Sequence, residues 1–294
     1  MPLRKLVVVG VGLIGGSVAL ALKSRRHVGE VVGVGRSRVN LDVALHAGVV
    51  DRAITLDGPW TRELADADIV LVATPVAQFP SLFGAMAGAL GQRTVVTDAG
   101  STKQDVVDAA RAQLGAALPR FVPAHPVAGT ENSGALAAFA TLYEGRNTLL
   151  TPLPETDPEA LARVRAMWEA CGANVLTLTP HRHDRVLAAV SHLPHLLAAT
   201  YMAALAGRPE AEELFNLAGT GFRDFTRIAA SSPEMWRDIT LANHEALLGE
   251  LLTYRRALDR IEAAIRSHDA VAIESLFVAA SEGRRAWPGI QPES

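Results

Sequence analysis

The sequence predicts an α/β fold with a Rossmann-type doubly wound sheet, followed by an all-α domain. Three observations support this order. Short apolar runs alternate with helix-length segments in the first half, a glycine-rich turn joins the first strand to the first helix, and no strand pattern occurs after residue 179. We therefore expect two domains, residues 1–178 and residues 179–294, in a chain of 294 residues.

Five apolar runs predict the strands of a parallel sheet. None of them alternates polar with apolar residues, which is typical of strands buried on both faces. They cover residues 6–9, 31–34, 69–73, 94–97 and 121–123. The segments between them have the length of helices and cover residues 13–23, 39–46, 76–90 and 103–114. A further strand–helix–strand unit within residues 147–178 is expected to extend the same sheet.

The second half predicts helices only. Residues 184–205 and 211–217 have helical character, and Ser232 followed by Pro233 is a strong helix start. Beyond it, apolar residues spaced by three and four predict one helix of about thirty residues, ~50 Å long. This stripe consists of Met235, Ile239, Ala242, Leu247, Leu251, Tyr254, Leu258, Ile261 and Ile265. It forms either the core of a monomeric domain or the seam of a homodimer, and we favour the homodimer because few other surfaces can cover it.

Composition argues against several classes of partner. The 28 Lys and Arg residues against 31 Asp and Glu give a net charge of −3, so no positive excess exists for nucleic acid or an anionic membrane. The uncharged run 6–22 contains four glycines and is short for a membrane span, which argues against a secretory signal. Cys171 cannot form an internal disulfide and is expected to be a buried structural thiol. A cytoplasmic location is therefore expected.

The turn after the first predicted strand has the pattern G-x-G-x-x-G, formed by Gly10, Gly12 and Gly15. Glycines at these positions let the backbone approach a pyrophosphate, and the following helix offers its first N–H groups to that anion. Residues 1–178 are therefore interpreted as a dinucleotide-binding domain. The predicted cofactor-binding residues are Gly10, Gly12, Leu13, Ile14, Gly15, Arg36, Ser37, Thr74 and Pro75.

The end of the second predicted strand indicates which dinucleotide binds. An NAD enzyme usually carries Asp or Glu there, whereas this chain carries Gly35, Arg36, Ser37 and Arg38. A guanidinium group beside a hydroxyl suits the 2′-phosphate of NADP. NADP is the expected cofactor, and NAD is the alternative if Arg36 belongs to a solvated turn.

Polar residues also follow the later predicted strands, at the sheet edge that opens onto a cofactor crevice. Ser101 lies in one such segment and His125 in the next. In the helical half, His192 and Arg227 lie among apolar residues, where an idle polar group is costly to bury. These four residues are candidates for a catalytic site.

The chain closely resembles the prephenate/arogenate (cyclohexadienyl) dehydrogenase family of tyrosine biosynthesis. The resemblance extends over nearly the whole chain and rests on seven motifs in order, namely GVGLIGGS, GSTK, HPVAGTE, LYEGR, SHLPH, GFRDFTRIA and SPEMWRDI. It implies oxidative decarboxylation of prephenate, arogenate or both. In that reaction a hydride leaves the ring carbon that bears the hydroxyl for NAD(P), the hydroxyl loses its proton, and carbon dioxide departs as the ring becomes aromatic. Residues 179–294 would then form a helical substrate and dimerisation domain.

The resemblance also implies roles for individual residues. His125 matches the catalytic histidine that hydrogen-bonds the substrate hydroxyl, and Ser101 matches a hydroxyl that assists at the same oxygen. Arg227 matches the arginine that binds a substrate carboxylate. The remaining substrate contacts are His192, Glu131 beside the entrance, and Trp236, which is expected to reach the neighbouring subunit's site.

The sequence leaves several alternatives open. An NADP-dependent hydroxyacid dehydrogenase or imine reductase would share the Rossmann half and a helical dimer half, and a non-catalytic dinucleotide-sensing protein would keep only the glycine turn. His195 is expected to be mainly structural. A metal centre is not expected, because two members of the candidate ligand set lie in a turn predicted to be exposed. That set is His181, His183, Asp184, His192 and His195.

Overall fold

A six-stranded parallel sheet forms the centre of the first half in the computed structural model, which describes residues 2–130 and 132–287. The strand order is β3-β2-β1-β4-β5-β6, so the connections reverse direction between β1 and β4. In open α/β sheets, ligands bind in the crevice outside the carboxyl ends of the strands at such a reversal. The predicted doubly wound fold is confirmed. The strands are β1 (Leu3–Val9), β2 (Val28–Gly35), β3 (Arg52–Thr55), β4 (Ile69–Val72), β5 (Val95–Asp98) and β6 (Phe121–Val122).

Helices cover both faces of this sheet. Leu6 and Val8 of β1 pack into one apolar cluster, whereas Val7 and Val9 pack into a second cluster on the opposite face. Because both faces are buried, the strands lack a polar alternation. The helices of this half are α1 (Leu13–Ser24), α2 (Arg38–His46), α3 (Phe79–Met86), α4 (Gln104–Gln113) and α5 (Pro158–Ala170).

A second sheet of three strands, β7 (Ala124–Pro126), β8 (Asn147–Leu150) and β9 (Asn174–Thr177), follows the first. The predicted strand–helix–strand unit exists as β8, α5 and β9, but the expectation that it extends the parallel sheet was wrong. Pro123 separates β6 from β7 and has no N–H to donate. The next N–H, that of Ala124, donates to the Asp98 carboxylate at 2.9 Å instead of continuing the ladder. β7 therefore turns away and pairs with β8 in antiparallel fashion.

The second half is helical in its described part, as predicted. A continuous helical stretch runs through α6 (Pro180–Leu187), a π-helical turn (Ala188–His192) and α7 (Leu193–Ala206). By length and composition alone this stretch, Pro180–Ala206, is long and apolar enough to cross a membrane, a test that core helices also pass. Its buried polar residues His183, Asp184 and His192 instead make hydrogen bonds within the protein.

The predicted thirty-residue helix is broken at Asn243. α10 (Pro233–Ala242) ends there, and α11 (His244–Arg266) begins at the next residue. Asn243 has φ −108° and ψ 31°, away from helical values, and its buried side chain is held by hydrogen bonds that a periodic apolar pattern does not reveal. The remaining helices are α8 (Ala211–Asn216), α9 (Thr220–Thr226) and α12 (Ala270–Ala286), of which α9 and α12 were not predicted.

The described residues divide into two compact units, and the second unit begins at His244. Taken by itself, the second unit contains α11 and α12. Of the predicted stripe, Leu247 is buried, whereas Leu258 and Ile265 are 46% and 58% exposed. The domain boundary that we expected at residue 178 stays a prediction.

Candidate active site

The glycine turn has the geometry that an anion requires. A Cβ at Gly15 would overlap the carbonyl oxygen of Gly10, so the helix α1 must pack directly against the turn. Gly12 is the N-cap of α1 and provides no side-chain cap, which leaves the first N–H groups of the helix available. A Cβ at Gly12 would meet no atom within 4 Å. This open position beside a helix N-terminus fits the pyrophosphate of a dinucleotide.

Leu13 and Ile14 form the first turn of α1, and the Ile14 carbonyl accepts a hydrogen bond from Tyr143 Oη at 2.6 Å. Thr74 follows β4 and lies against Gly10, because its Cγ2 would be 3.0 Å from a Cβ at that glycine. Pro75 is the next residue and precedes a 3₁₀ turn. Both therefore lie at the reversal point of the sheet, beside the glycine turn.

Arg36 and Ser37 lie at the carboxyl end of β2, as predicted. Ser37 caps α2 by accepting a hydrogen bond from the Asn40 N–H at 3.2 Å. The Arg36 side chain is exposed and has no hydrogen bond or ion pair within residues 2–130 and 132–287. Arg38, in contrast, pairs with Asp42 at 2.9 Å. Arg36 is thus the arginine of this turn whose guanidinium is available to a ligand.

His125 lies in β7 and is almost fully buried. Its Nδ1 atom is 2.8 Å from Nε2 of His183, and Nδ1 of His183 is 2.8 Å from Oδ1 of Asp184. A carboxylate can only accept a hydrogen bond, so His183 donates from Nδ1 and accepts at Nε2. His125 consequently donates from Nδ1. In its neutral form it then carries a free lone pair on Nε2, which is the atom that can take a proton.

The charge states of this chain follow from burial. Burial lowers the pKa of His125 well below the usual 6.5, and the nearby His183, Lys103 and His192 lower it further. Burial also lowers the pKa of His183, against the opposing effect of Asp184. Burial raises the pKa of Asp184, but hydrogen bonds from His183 and two backbone N–H groups outweigh it and hold that pKa below its usual value. At neutral pH the chain therefore consists of one carboxylate and two neutral imidazoles.

The turn that carries Ser101 is fixed from both sides. Before it, Asp98 forms a fully buried ion pair with Lys103 and accepts a hydrogen bond from the Gly100 N–H at 2.7 Å. After it, the carboxylate of Asp184 accepts from the N–H groups of Lys103 and Gln104 at 2.9 and 2.8 Å. The same carboxylate thus holds both the Ser101 turn and the histidine chain.

His192 and its neighbours form the other wall of the site. Trp236 stacks on His195 with ring centres 3.8 Å apart and meets His192 edge-on at 6.1 Å. Arg227 begins a 3₁₀ turn that packs against α7, the helix that carries His195, and burial together with the positive charge of Arg227 lowers the pKa of His195. His192 lies near Ser101, whose backbone affects its pKa. Within one chain the structure therefore brings together His125, His192, Trp236, Arg227 and the Ser101 turn.

One expectation changes with this geometry. His183 was predicted in an exposed turn, but it is fully buried and bonded to His125. The expectation that His195 is mainly structural stays a prediction, and its ring stacks on Trp236. Glu131 lies outside the described residues. No group of three or more His, Cys, Asp or Glu side chains within residues 2–130 and 132–287 is arranged to hold a metal ion.

His183 and Asp184 are the residues that sequence reasoning missed. Their side chains become visible as site residues only through contacts with His125 and α4, which lie about sixty to eighty positions earlier in the chain. Cys171 agrees with its prediction, since it is buried and burial raises the pKa of its thiol to about 12.

Comparisons with known proteins match both halves of the chain. A family model described as the nucleotide-binding domain of prephenate dehydrogenase matches residues 18–177. A second model, described as the dimerization domain of prephenate dehydrogenase, matches residues 179–278. Together the two models span most of the chain.

Individual relatives agree. A prephenate dehydrogenase of Bacillus subtilis (strain 168) is 35% identical over 289 residues, which cover 96% of this chain and 76% of that protein. The crystal structure of a prephenate dehydrogenase from A. aeolicus, in complex with hydroxyphenyl propionate and NAD+, has a TM-score of 0.89 and 33% identity and covers 98% and 99% of the two chains. A Synechocystis arogenate dehydrogenase structure has a TM-score of 0.79 and 31% identity, with 96% and 99% covered.

Proposed function

The chain belongs to the prephenate dehydrogenase family, and we propose from this premise that it catalyses the oxidative decarboxylation of prephenate, arogenate or both with NAD(P), in tyrosine biosynthesis. One observation carries the proposal. The buried His125 has its Nδ1 atom engaged by His183, which is held by Asp184, and this leaves Nε2 as a proton acceptor in a cluster whose Asp184 carboxylate also holds the Ser101 turn. That arrangement suits the removal of a hydroxyl proton.

The reaction assigns a task to each group. When bound, NAD(P) would supply the acceptor for the hydride of the ring carbon that bears the hydroxyl. Nε2 of His125 accepts the hydroxyl proton, and the Ser101 side chain orients the same oxygen. As carbon dioxide leaves, the electron pair of the broken carbon–carbon bond enters the ring, which becomes aromatic, and the proton held on Nε2 of His125 returns to the oxygen to give the phenol. Because His125 is neutral at the start, it can take this proton without first losing one.

The substrate's charged groups need partners at the other wall. We assign a carboxylate to Arg227, whose planar guanidinium supplies both charge and orientation. His192 and Trp236 are assigned as further substrate contacts, and Trp236 belongs to the same chain as the histidines that it touches. Glu131 is assigned as a polar contact at the entrance. The role of Glu131 rests on its motif alone, whereas those of His192 and Trp236 rest on their motifs and on the contact between their rings.

For the cofactor we propose a preference for NADP over NAD. Gly10, Gly12 and Gly15 with the N-terminus of α1 would hold the pyrophosphate, and Thr74 and Pro75 would border it. Arg36 would hold the 2′-phosphate together with Ser37. A charge-assisted hydrogen bond is worth about 1.5–3 kcal/mol, which corresponds to roughly ten- to a hundredfold preference. We expect Gly35→Asp with Arg36→Ala to reverse the preference, while Arg38→Ala, whose arginine pairs with Asp42, changes it little.

The assay that tests the function uses prephenate and arogenate, each with NADP and with NAD. Formation of the reduced cofactor is followed by its near-ultraviolet absorbance, and the aromatic product is identified by mass spectrometry. We expect turnover in at least one of the four combinations. A folded enzyme that is inactive in all four would refute the proposal, and faster turnover with NAD would refute only the cofactor preference.

We also propose a homodimer formed through α11 and α12, in a cytoplasmic protein. The exposed Leu258 and Ile265 support the dimer, because apolar side chains of one helix stripe are costly to leave in water. Light scattering should detect a dimer at micromolar concentration. The double change Leu258→Glu and Ile265→Glu should give a monomer, since unpaired charges in an interface cost several kcal/mol. A dimer that survives both changes would contradict this interface.

A further inference from the structure

The break between α10 and α11 places an amide in contact with His192. Asn243 is 5% exposed, and its Nδ2 atom lies 2.8 Å from the backbone oxygen of Asp184 and 3.0 Å from Nδ1 of His192. Both contacts involve the same Asn243 atom. A side-chain NH₂ group carries two protons, so it can donate to both partners at once.

The Asp184 carbonyl decides which way the amide faces. A backbone carbonyl oxygen can only accept, so the amide oxygen of Asn243 in the same position would place two acceptors 2.8 Å apart. The nitrogen must therefore face Asp184. It follows that Asn243 also donates to His192, and that Nδ1 of His192 is an acceptor without a proton.

The other ring nitrogen of His192 then carries the proton. Burial lowers the pKa of His192 to about 4, so the ring is neutral at physiological pH and holds one proton. His192 is only 2% exposed, and its buried Nε2 has no hydrogen-bond partner in good geometry among the described residues. The Ser101 backbone lies close enough to the ring to raise the pKa of His192, but it makes no full hydrogen bond with Nε2, so this N–H donor remains open to a substrate oxygen.

We infer that Asn243 is a positioning residue that holds His192 in the Nε2–H tautomer, so that the ring donates a hydrogen bond to an oxygen acceptor of the substrate. The inference deepens the proposed function and rests on it for the identity of the substrate. His192 and His125 then perform opposite tasks. The Asp184 side chain, through His183, leaves Nε2 of His125 as an acceptor, whereas the Asp184 backbone, through Asn243, makes Nε2 of His192 a donor.

The position of Asn243 explains why the long apolar stripe is interrupted. A helix that continued through residue 243 would gain regular backbone hydrogen bonds. The observed backbone at φ −108° and ψ 31° gives up that regularity at the residue whose side chain holds His192. We attribute the interruption to this contact.

The test reads the protonation of the ring directly. In protein labelled with ¹⁵N-histidine, long-range ¹H–¹⁵N correlation spectra distinguish protonated from unprotonated ring nitrogens, and His192→Asn assigns the signal. In the free enzyme near neutral pH we expect an unprotonated Nδ1 and a protonated Nε2 for His192. Asn243→Asp should protonate Nδ1, because a carboxylate can only accept, whereas Asn216→Asp at the exposed end of α8 should leave the signal unchanged.

A kinetic measurement adds a second readout. Asn243→Leu removes the donor without adding charge, so His192 would populate both tautomers, and we expect the apparent KM for the preferred substrate to rise about tenfold with a smaller change in kcat. Each of three results would overturn the inference. They are a protonated Nδ1 of His192 in the unaltered enzyme, an Asn243→Asp spectrum identical to that of the unaltered enzyme, and an unchanged KM in folded Asn243→Leu. Absence of turnover in the unaltered enzyme would refute the proposed function, whereas the spectra decide the tautomer without any substrate.

Discussion

The glycine turn and the histidine cluster form two sides of the candidate site, and they use different parts of the chain, backbone in the first and side chains in the second. The turn is made of backbone, since Gly10, Gly12 and Gly15 contribute space and N–H groups instead of side chains. The cluster is made of side chains, because His125 and His192 owe their orientation to partners on other elements. One side is specified within a few consecutive residues, and the other only by the assembled fold.

This difference has a chemical consequence. A phosphate is recognised by charge and by N–H groups, which any suitably bent backbone presents in the same protonation state. A proton transfer, in contrast, requires that one particular nitrogen be unprotonated. Asp184 meets this need in the cluster, because a carboxylate at the end of a hydrogen-bonded chain fixes the direction of every donor along it.

Replacing the proton acceptor should have the largest effect on the cluster. In His125→Asn the amide can still hydrogen-bond the hydroxyl but cannot take its proton, so we expect kcat to fall by roughly 10² to 10⁴ with little change in apparent KM. The matched control is His181→Asn, at an exposed position of α6. Unchanged turnover in the folded His125 variant would remove His125 from the mechanism.

Replacing the carboxylate should have the next largest effect. In Asp184→Asn the side chain can donate to His183, which reverses the direction of the chain and puts the proton on Nε2 of His125. We expect kcat to fall by roughly ten- to a hundredfold, less than for His125→Asn, because part of the molecules keep the productive direction. Asp108→Asn on the exposed face of α4 is the control. Activity equal to the control would show that Asp184 only caps α4.

The sequence predicts the first of the two regions much better than the second. The strands β1, β2, β4, β5 and β6 appear where apolar runs predict them, because burial on both faces leaves a local signature. β3 was missed because Arg52–Thr55 is short and half-buried. The glycine turn was predicted because all the residues that it needs lie next to one another in the sequence.

The histidine cluster contains residues whose burial and role cannot be predicted from the neighbouring sequence. His181 and His183 look alike in sequence, yet one is exposed and the other fully buried against His125. The apolar periodicity runs on both sides of Asn243, so the pattern predicts one continuous helix. The helix is broken there by the contacts of Asn243 with Asp184 and His192. Motifs named His125 and His192 as candidates, but the tautomer of each ring is decided by residues distant in the chain.

Two glycine substitutions should distinguish the role of the turn in packing from its role in cofactor binding. Gly12→Ala adds a methyl group where no protein atom lies within 4 Å, so we expect an unchanged melting temperature and an apparent KM for the cofactor raised about tenfold. Gly15→Ala would overlap the Gly10 carbonyl and should instead destabilise the fold by about 1–3 kcal/mol. Equal melting temperatures for the two variants would mean that the turn is less tightly packed than its geometry indicates.

The smallest expected effect is a nearly constant activity as the solution becomes mildly acidic. Burial lowers the pKa of His125, His183, His192 and His195 below 6.5, so each ring is neutral in the folded enzyme above that pH. A histidine with an ordinary pKa would lose about half of its neutral form on going from about pH 8 to about pH 6.5. We therefore expect kcat/KM to change by clearly less than twofold over this range.

The same lowered pKa values determine how the free energy of unfolding changes below about pH 6.5. Once the pH falls below about 6.5, the unfolded chain binds more protons on these histidines than the folded chain does, so the free energy of unfolding decreases as acid is added. The loss from His192 continues until its folded pKa of about 4. Chemical denaturation across this range should therefore give a steadily falling midpoint, while kcat/KM of the remaining folded enzyme stays high at first. A halving of kcat/KM near pH 6.5 with no loss of stability would mean that a catalytic histidine is exposed to solvent. The description of His125 as a buried side chain oriented by its partners would then be wrong.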